Sequence, residues 1–174
     1  MTEEKQQFLT EKARQVRNLA LDGIYAAQSG HPGGSFSAAD IITYLYFDKL
    51  NVDPQNPTMD SRDRFVLSKG HCCPALYAAL AMRGFFDVSE MQSLRKLGAL
   101  LQGHPDMKTI PGIDMSTGSL GQGVSAACGI AKELKRKGTP ARVYCMTGDG
   151  ESEEGQVWEA AMFASHYKLD NLTL

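Results

Sequence analysis

The sequence has little net charge and no long apolar run, and both shortages exclude classes of protein. The formal net charge is −2, which offers no strongly basic surface for nucleic acid or for anionic lipid. No apolar stretch is long enough to span a bilayer. The N-terminal segment mixes charges and lacks the apolar core of a secretory signal. We therefore expect a cytoplasmic protein with no nucleic-acid partner and no membrane partner.

Cysteine is also scarce, with four residues in the chain, namely Cys72, Cys73, Cys128 and Cys145. They form no Cys-x-x-Cys pair, and two of them lie inside apolar segments. Free Cys is among the residues most often buried in protein cores. The spacing therefore predicts reduced, mostly buried thiols rather than a structural zinc site.

Short apolar segments alternate with longer segments of helical periodicity. "RFVLS" and "ARVYCMT" are typical of buried strands, and "NLTL" is typical of the start of another strand. The alternation predicts an α/β layered domain with a mostly parallel sheet flanked by helices. No linker divides the chain, so residues 1–174 are treated as one unit.

Local signals set the expected limits of several helices. Residues 4–28 have helical spacing, and Gly30 is expected to provide a left-handed cap. Ser37 is expected to cap the second helix, and Ser89 a later one that ends at Gly98. Residues 99–118 are expected to form a long irregular segment, which in a compact domain is usually functional or mobile.

The two main strands end in residues that carry chemistry. "VLSKGH" ends at His71, and "CMTGDG" leads to Asp149. Ligands in open α/β sheets bind at the carboxyl ends of strands. Asp149 stands between two glycines and is a poor helix cap, so we interpret it as a ligand of a hard divalent cation such as Mg²⁺. Glu151 and Glu153 are interpreted as solvated acids of a first helical turn.

Three of the four histidines, His31, His71 and His104, follow a glycine in a loop, whereas His166 lies in a helical segment. Loop histidines suit proton transfer at neutral pH and hydrogen bonding to phosphate. A three-histidine zinc site is a further alternative. The glycine-rich turn "STGSLGQG" either packs closely against a neighbour or contacts a ligand, and both alternatives stay open. The EF-hand, the Walker P-loop and the dinucleotide fingerprint are absent.

Five motifs in order resemble the N-terminal, pyrophosphate-binding part of transketolases: "SGHPGGSFSAADI", "LSKGHCCPALYAAL", "GHPD", "STGSLGQGVSAACGIA" and "GDGESEEGQVWEAAMFASHYKLDNL". The similarity runs from about Ala13 to Leu174. Members of this family bind thiamine diphosphate and a divalent metal, either Mg²⁺ or Ca²⁺ or Mn²⁺. They transfer a two-carbon ketol unit between phosphosugars in carbohydrate metabolism, as in the pentose phosphate pathway.

The resemblance implies roles for individual residues. Asp149 corresponds to the metal-binding residue of the Gly148–Gly150 motif, and Gly150 offers its amide to the diphosphate. His71 resembles a diphosphate contact, whereas His31 and His104 resemble active-site histidines that face the sugar. The remaining implied cofactor contacts are Gly118, Ser119 and Leu120 beside the rings of the cofactor, and Glu154 at a subunit interface.

The family pattern also includes groups that this sequence lacks. In the family an Asn after the next strand completes the metal site, and here that position would fall just past Leu174. The Glu that activates the aminopyrimidine and the arginines that bind the sugar phosphate are likewise absent. We therefore expect an incomplete pyrophosphate-binding domain over residues 1–174. It would be an enzyme only with a C-terminal, pyrimidine-binding domain or subunit, as a homodimer or heterotetramer, and would be inactive and bind cofactor weakly by itself.

Two other interpretations remain at this point. One is an enzyme similar to 1-deoxyxylulose-5-phosphate synthase, although "GHPD" and "TGSLGQG" fit transketolase better. The other is a non-catalytic fragment.

Overall fold

The computed structural model describes residues 1–174 and contains one parallel sheet. Its strands are β1 (Arg64–Leu67), β2 (Val143–Met146) and β3 (Leu172–Thr173), in that spatial order. Phe65 pairs with Tyr144, and Val143 pairs with Leu172. The predicted parallel sheet is therefore confirmed, including the strand that was expected at "NLTL".

Five α-helices surround this sheet: α1 (Glu3–Ala27), α2 (Pro32–Tyr44), α3 (Cys73–Arg83), α4 (Gln122–Arg136) and α5 (Gly155–His166). A π-helical turn, Leu45–Lys49, extends α2, and 3-10 turns occupy Gly70–Cys72, Val88–Ser93 and Gly150–Glu153. None of the helices combines the length and the hydrophobicity that crossing a membrane requires.

The alternation of side chains along the strands creates two cores, one on each face of the sheet. Phe65, Leu67 and Tyr144 belong to a cluster of 24 buried residues that includes the apolar stripes of α1, α2 and α3. Val66 and Val143 belong to a second cluster of 12 buried residues, shared with α4 and α5. The molecule is thus a layered α/β structure with helices on both faces, as the sequence predicts.

All four cysteines are free and buried, so this prediction is confirmed. Cys72 and Cys73 lie in the first core, and Cys128 and Cys145 in the second. Burial raises the pKa of Cys73 and that of Cys145 to about 12, so both thiols stay protonated at neutral pH.

The predicted end of the first helix and the predicted start of the second are wrong. The left-handed residue that ends α1 is Gln28, with φ 50°, rather than Gly30. Ser37 lies inside α2, where its hydroxyl donates to the Gly34 carbonyl oxygen at 3.0 Å. The helix begins at Pro32 because proline at the first position already has a helical φ and needs no N–H partner. His31 consequently occupies the N-cap position of α2.

The predicted helix after Ser89 is only the 3-10 turn Val88–Ser93. Its cap is Asp87, whose carboxylate accepts a hydrogen bond from the Ser89 amide at 2.8 Å. The chain turns away at Arg95, a non-glycine residue with φ 63°, whose amide donates to the Leu101 carbonyl oxygen at 2.8 Å. Residues 99–118 contain no helix or strand, as predicted.

Candidate active site

The carboxyl ends of β1 and β2 border a polar cleft of about 200 Å³. Because parallel strands end at the same edge of a sheet, the loops after β1 and β2 meet there. The lining residues are Gly34, Ser37, Lys69, His71, Cys72, Leu120, Gly148, Asp149, Gly150 and Glu151. The structure thus brings the two strand ends singled out in the sequence into one site.

Asp149 is exposed at the mouth of this cleft, and its carboxylate accepts no hydrogen bond from the chain. The turn that carries it is fixed by Ser152, whose amide and hydroxyl both bind the Gly148 carbonyl oxygen, at 3.1 and 2.7 Å. A Cβ atom placed on Gly150 would meet no atom within 4 Å. The carboxylate therefore stands free beside open space, an arrangement that can accept a cation.

The prediction that Glu151 is a solvated acid is wrong, because only 2% of this residue is exposed. One carboxylate oxygen accepts from the Ser68 hydroxyl at 2.5 Å and from the Gly121 amide at 2.9 Å. The other oxygen accepts from the Gly148 amide at 2.9 Å. These three donors compensate for the loss of water around the carboxylate. Glu153, by contrast, is exposed, as expected.

His31 and His71 form a pair at one side of the cleft. Their ring centroids are 5.0 Å apart and the rings are nearly perpendicular, at 72°. A Cβ atom on Gly34 would collide with the Cys72 sulfur, so this glycine lets the first turn of α2 approach the turn that carries His71. Burial lowers the pKa of His71, and the neighbouring His31 and Lys69 lower it further. The His71 imidazole is therefore neutral at neutral pH.

His104 lies in the irregular segment and packs on Gly118. A Cβ atom on Gly118 would lie 2.7 Å from Cδ2 of His104, so the close approach requires glycine. The Tyr77 hydroxyl supports this segment by donating to the Gln102 carbonyl oxygen at 3.0 Å. Burial lowers the pKa of His104, and the charges of Arg95 and His31 act in the same direction.

The remaining predicted residues border the same region. Leu120 lines the cleft and is 39% exposed. Ser119 is exposed beside it. Glu154 is the exposed N-cap of α5, and its side chain lies against Gly121. His166 is exposed near the end of α5, where its ring packs edge-on against Tyr167.

Two cationic residues were missed by the sequence reasoning. Lys69 lines the cleft, and its Cδ atom would lie 3.5 Å from a Cβ atom on Gly148. Its place directly after a buried strand was the available signal. Arg95 packs its guanidinium on Gly103, the residue before His104, and donates to the Ser29 hydroxyl at 3.2 Å.

The structure bears on two questions that the sequence left open, the three-histidine zinc site and the role of the glycine-rich turn. Across residues 1–174, no group of three or more His, Cys, Asp or Glu side chains is arranged to hold a metal ion, so the three-histidine zinc alternative has no geometric basis. The turn "STGSLGQG" packs closely and also borders the cleft, and its contact with a ligand stays a prediction. A Cβ atom on Gly123 would lie 2.7 Å from the Ser68 Cα atom, which indicates close packing, while Leu120 faces the cleft.

Comparison with known proteins identifies relatives of the same kind. The profile of the family described as "Transketolase, thiamine diphosphate binding domain" matches residues 9–174. The 6-deoxy-6-sulfo-D-fructose transketolase subunit SqwG of Clostridium sp. is 48% identical over 169 residues, which cover 97% of this chain and 62% of that protein. Human transketolase is 47% identical over 171 residues, which cover 98% of this chain and 27% of that protein.

A further relative is one of the subunits of the apulose-4-phosphate transketolase of Phocaeicola vulgatus. It is 43% identical over 156 residues, which cover 90% of this chain and 55% of that protein. The chain thus spans between about a quarter and about three fifths of the length of these relatives. They are named transketolases or transketolase subunits, which does not favour the 1-deoxyxylulose-5-phosphate synthase alternative.

Solved structures agree with the sequence relatives. The crystal structure of transketolase from Campylobacter jejuni superposes with a TM-score of 0.89 at 38% identity, covering 95% of this chain and 28% of that one. Transketolase from Leishmania mexicana gives a TM-score of 0.87 at 33% identity, covering 94% and 26%. Because the family profile, the sequence relatives and the solved structures agree, the chain belongs to the transketolase family and matches its thiamine diphosphate binding domain.

Proposed function

We propose that this chain is the pyrophosphate-binding part of a transketolase, which transfers a two-carbon ketol unit from a ketose phosphate to an aldose phosphate. The observation that carries this proposal is the meeting of Asp149, Lys69 and His71 in one cleft at the strand ends. A carboxylate, a cation and an imidazole in one cleft would suit a diphosphate bound together with a divalent metal.

The residues present fit such a metal and cofactor. Asp149 supplies a free carboxylate beside open space at Gly150. Mg²⁺ in proteins is commonly held by one or two carboxylates together with phosphate oxygens and water. Asp149 would hold Mg²⁺, or Ca²⁺ or Mn²⁺ in its place, while Lys69 and His71 would donate hydrogen bonds to the diphosphate. Thiamine diphosphate, when bound, supplies the electron sink that ketol transfer requires.

The histidines would serve the sugar substrate. Their task is to hold and move hydroxyl protons near neutral pH, for which imidazole is suited. The lowered pKa of His104 leaves its ring neutral and able to accept a proton. His31 stands beside His71 at the N-cap of α2, and would act on the same substrate.

A second polypeptide or domain would complete the site. Two relatives are themselves named as transketolase subunits, which supports a pyrimidine-binding partner encoded separately or further along the same chain. Trp158 and Met162 lie four residues apart on α5, and the N-cap Glu154 precedes Trp158 by four. All three are exposed, so they form one stripe along that helix. We infer that this stripe, here called the α5 stripe, contacts the partner in a homodimer or heterotetramer.

Reconstitution tests the proposed function directly. The chain is combined with a pyrimidine-binding partner, thiamine diphosphate, Mg²⁺, xylulose 5-phosphate and ribose 5-phosphate, and the transfer product is measured by mass spectrometry. The names of the relatives recommend 6-deoxy-6-sulfo-D-fructose and apulose 4-phosphate as further ketol donors. Turnover of any of these donors supports the proposal. Absence of turnover with every partner and donor contradicts it.

Asp149→Asn tests the metal role separately from turnover. Replacing the free carboxylate with a neutral amide should weaken Mg²⁺-dependent binding of thiamine diphosphate by more than about 100-fold, since even outer-sphere partners of a metal cost roughly 10–100-fold. Isothermal titration calorimetry of the reconstituted complex measures this change. Glu153→Gln is the matched control, because Glu153 is exposed nearby and its replacement removes the same charge.

A further inference from the structure

The geometry points to Glu151 as a positioning residue that holds the three segments of the cleft in one arrangement. Its three donors come from different parts of the fold. Ser68 directly follows β1, Gly121 is the N-cap of α4, and Gly148 follows β2. A single carboxylate therefore joins two strand ends to a helix start.

Each joined segment carries a group of the candidate site next to the joined residue. Lys69 and His71 follow Ser68, Leu120 precedes Gly121, and Asp149 follows Gly148. A shift of any donor relative to Glu151 would move its neighbour in the cleft. Catalytic and binding groups need placement to within a fraction of an ångström, which rigid supporting contacts provide.

The contact uses both oxygens of the side chain, which a carboxylate provides and an amide does not. Both oxygens of Glu151 act as acceptors, one for a hydroxyl and an amide and the other for a second amide. A glutamine has the same length, but its NH₂ group would face at least one N–H or O–H donor and leave that donor buried without a partner. Hydrogen bonds to a charged acceptor are also shorter and stronger than neutral ones.

This arrangement also separates the roles of neighbouring acids. Glu151 is buried and accepts three hydrogen bonds from the chain, so its carboxylate supports the fold of the cleft. Asp149, two residues earlier, makes no such contacts and remains free. The acidic segment thus contains one supporting carboxylate and one available carboxylate.

The test compares Glu151→Gln and Glu151→Asp with Glu153→Gln. The first removes the charge at constant length, the second keeps the charge but shortens the reach, and the third removes an exposed charge nearby. Amide hydrogen exchange of Gly121 and Gly148, followed by NMR, reports the contact itself. We expect exchange at both amides to accelerate by about 10–100-fold in both Glu151 variants, and to stay unchanged in Glu153→Gln.

An internal reference distinguishes a local change from general loss of stability. The Arg64 amide, which donates to the Arg142 carbonyl oxygen at 2.9 Å, lies at the opposite end of β1 from Ser68. Its exchange should be the same in all variants. Acceleration at Arg64 equal to that at Gly121 and Gly148 would show that Glu151 acts only through stability, and would overturn the inference.

The ligand arm of the test rests on the proposed function. In the reconstituted complex, Glu151→Gln and Glu151→Asp should weaken binding of Mg²⁺ and thiamine diphosphate about tenfold or more, whereas Glu153→Gln should not. Unchanged binding in a folded Glu151 variant overturns the positioning role. If the unaltered complex binds no cofactor, the proposed function fails, and the exchange data still decide whether Glu151 orders the three segments. Should Glu151→Gln not fold, Glu151→Asp supplies both measurements.

Discussion

Folding lowers the pKa of two histidines, His71 and His104, below the value that each has in the unfolded chain. Burial is the first cause in both cases, and neighbouring cationic groups add to it. The unfolded chain has the ordinary histidine pKa of 6.5. It therefore binds more protons than the folded state once the pH falls below about 7.

The expected consequence is a loss of stability on mild acidification. Above pH 6.5 these histidines are mostly neutral in both states, and the free energy of unfolding is not reduced by them. As the pH falls below 6.5, the unfolded chain binds protons that the folded chain does not, so the free energy of unfolding decreases until the lowered folded-state pKa values are passed. Urea unfolding at pH 7.5 and pH 5.5 measures the difference, at pH values above the range in which most carboxylates titrate. His104→Gln should reduce the pH dependence. An identical pH dependence in His104→Gln and in the unaltered chain would be inconsistent with the lowered pKa of His104.

The burial of Glu151 could not be predicted from the residues around it in the sequence. Glu151 and Glu153 stand in the same short acidic segment, and nothing local distinguishes them. Their difference arises from Ser68 and Gly121, which lie 83 and 30 positions away along the chain. The position of Asp149 at the cleft could be predicted because its signal is local, namely a carboxylate between two glycines after a strand.

At the scale of elements, the contact between α4 and β1 depends on a glycine. A Cβ atom on Gly123 would lie 2.5 Å from the Ser68 hydroxyl oxygen and 2.7 Å from its Cα and Cβ atoms. The backbone atom cannot rotate away, so α4 would have to move outward at its N-terminal end. That movement would also stretch the hydrogen bond from Gly121 to Glu151.

Gly123→Ala should therefore destabilise the protein by about 1–3 kcal/mol, as overpacked contacts do. Gly129→Ala provides the matched control on the same helix, because a Cβ atom there would meet nothing within 4 Å. That control should stabilise the protein by about 0.5–1 kcal/mol, since alanine is the better helix former. Chemical denaturation measures both changes. Equal effects of the two substitutions would argue against the close packing at Gly123.

The elements themselves were mostly predictable, and the exceptions have physical causes. Strands β1 and β2 and helices α3, α4 and α5 follow from apolar periodicity, which directly encodes burial. Helix α2 was expected to begin at a capping serine, but Pro32 allowed an earlier start. The helix expected after Ser89 did not extend, because Arg95 takes a left-handed conformation that its sequence context does not announce.

At the scale of the whole molecule, the α5 stripe is the surface proposed to meet a partner. Trp158, the single tryptophan of the chain, is 64% exposed and Met162 is 67% exposed. The Trp158 indole donates to the Ser152 carbonyl oxygen at 3.0 Å, which holds its ring in place beside the acidic turn. Rigid aromatic groups of this kind are enriched at protein interfaces.

Met162→Lys should weaken association with a partner or with a second copy by about tenfold or more, because a charge would be buried at the contact. Met107→Lys is the control, since Met107 is also exposed, at 48%, but lies in the irregular segment away from α5. Sedimentation velocity of mixtures measures both. Equal association by the two variants would place the contact elsewhere on the surface.

The order of the strands along the chain has a kinetic consequence. Partners in β1 and β2 are about 80 residues apart in sequence, and pairing of such distant segments is slow because a long loop must close first. During synthesis, α1, α2 and α3 emerge before β2 and can bury one face of β1 among themselves, while the edge and the second face of β1 wait for α4 and β2. We expect this nascent intermediate to be the form in which the protein is most exposed to aggregation and most dependent on chaperones.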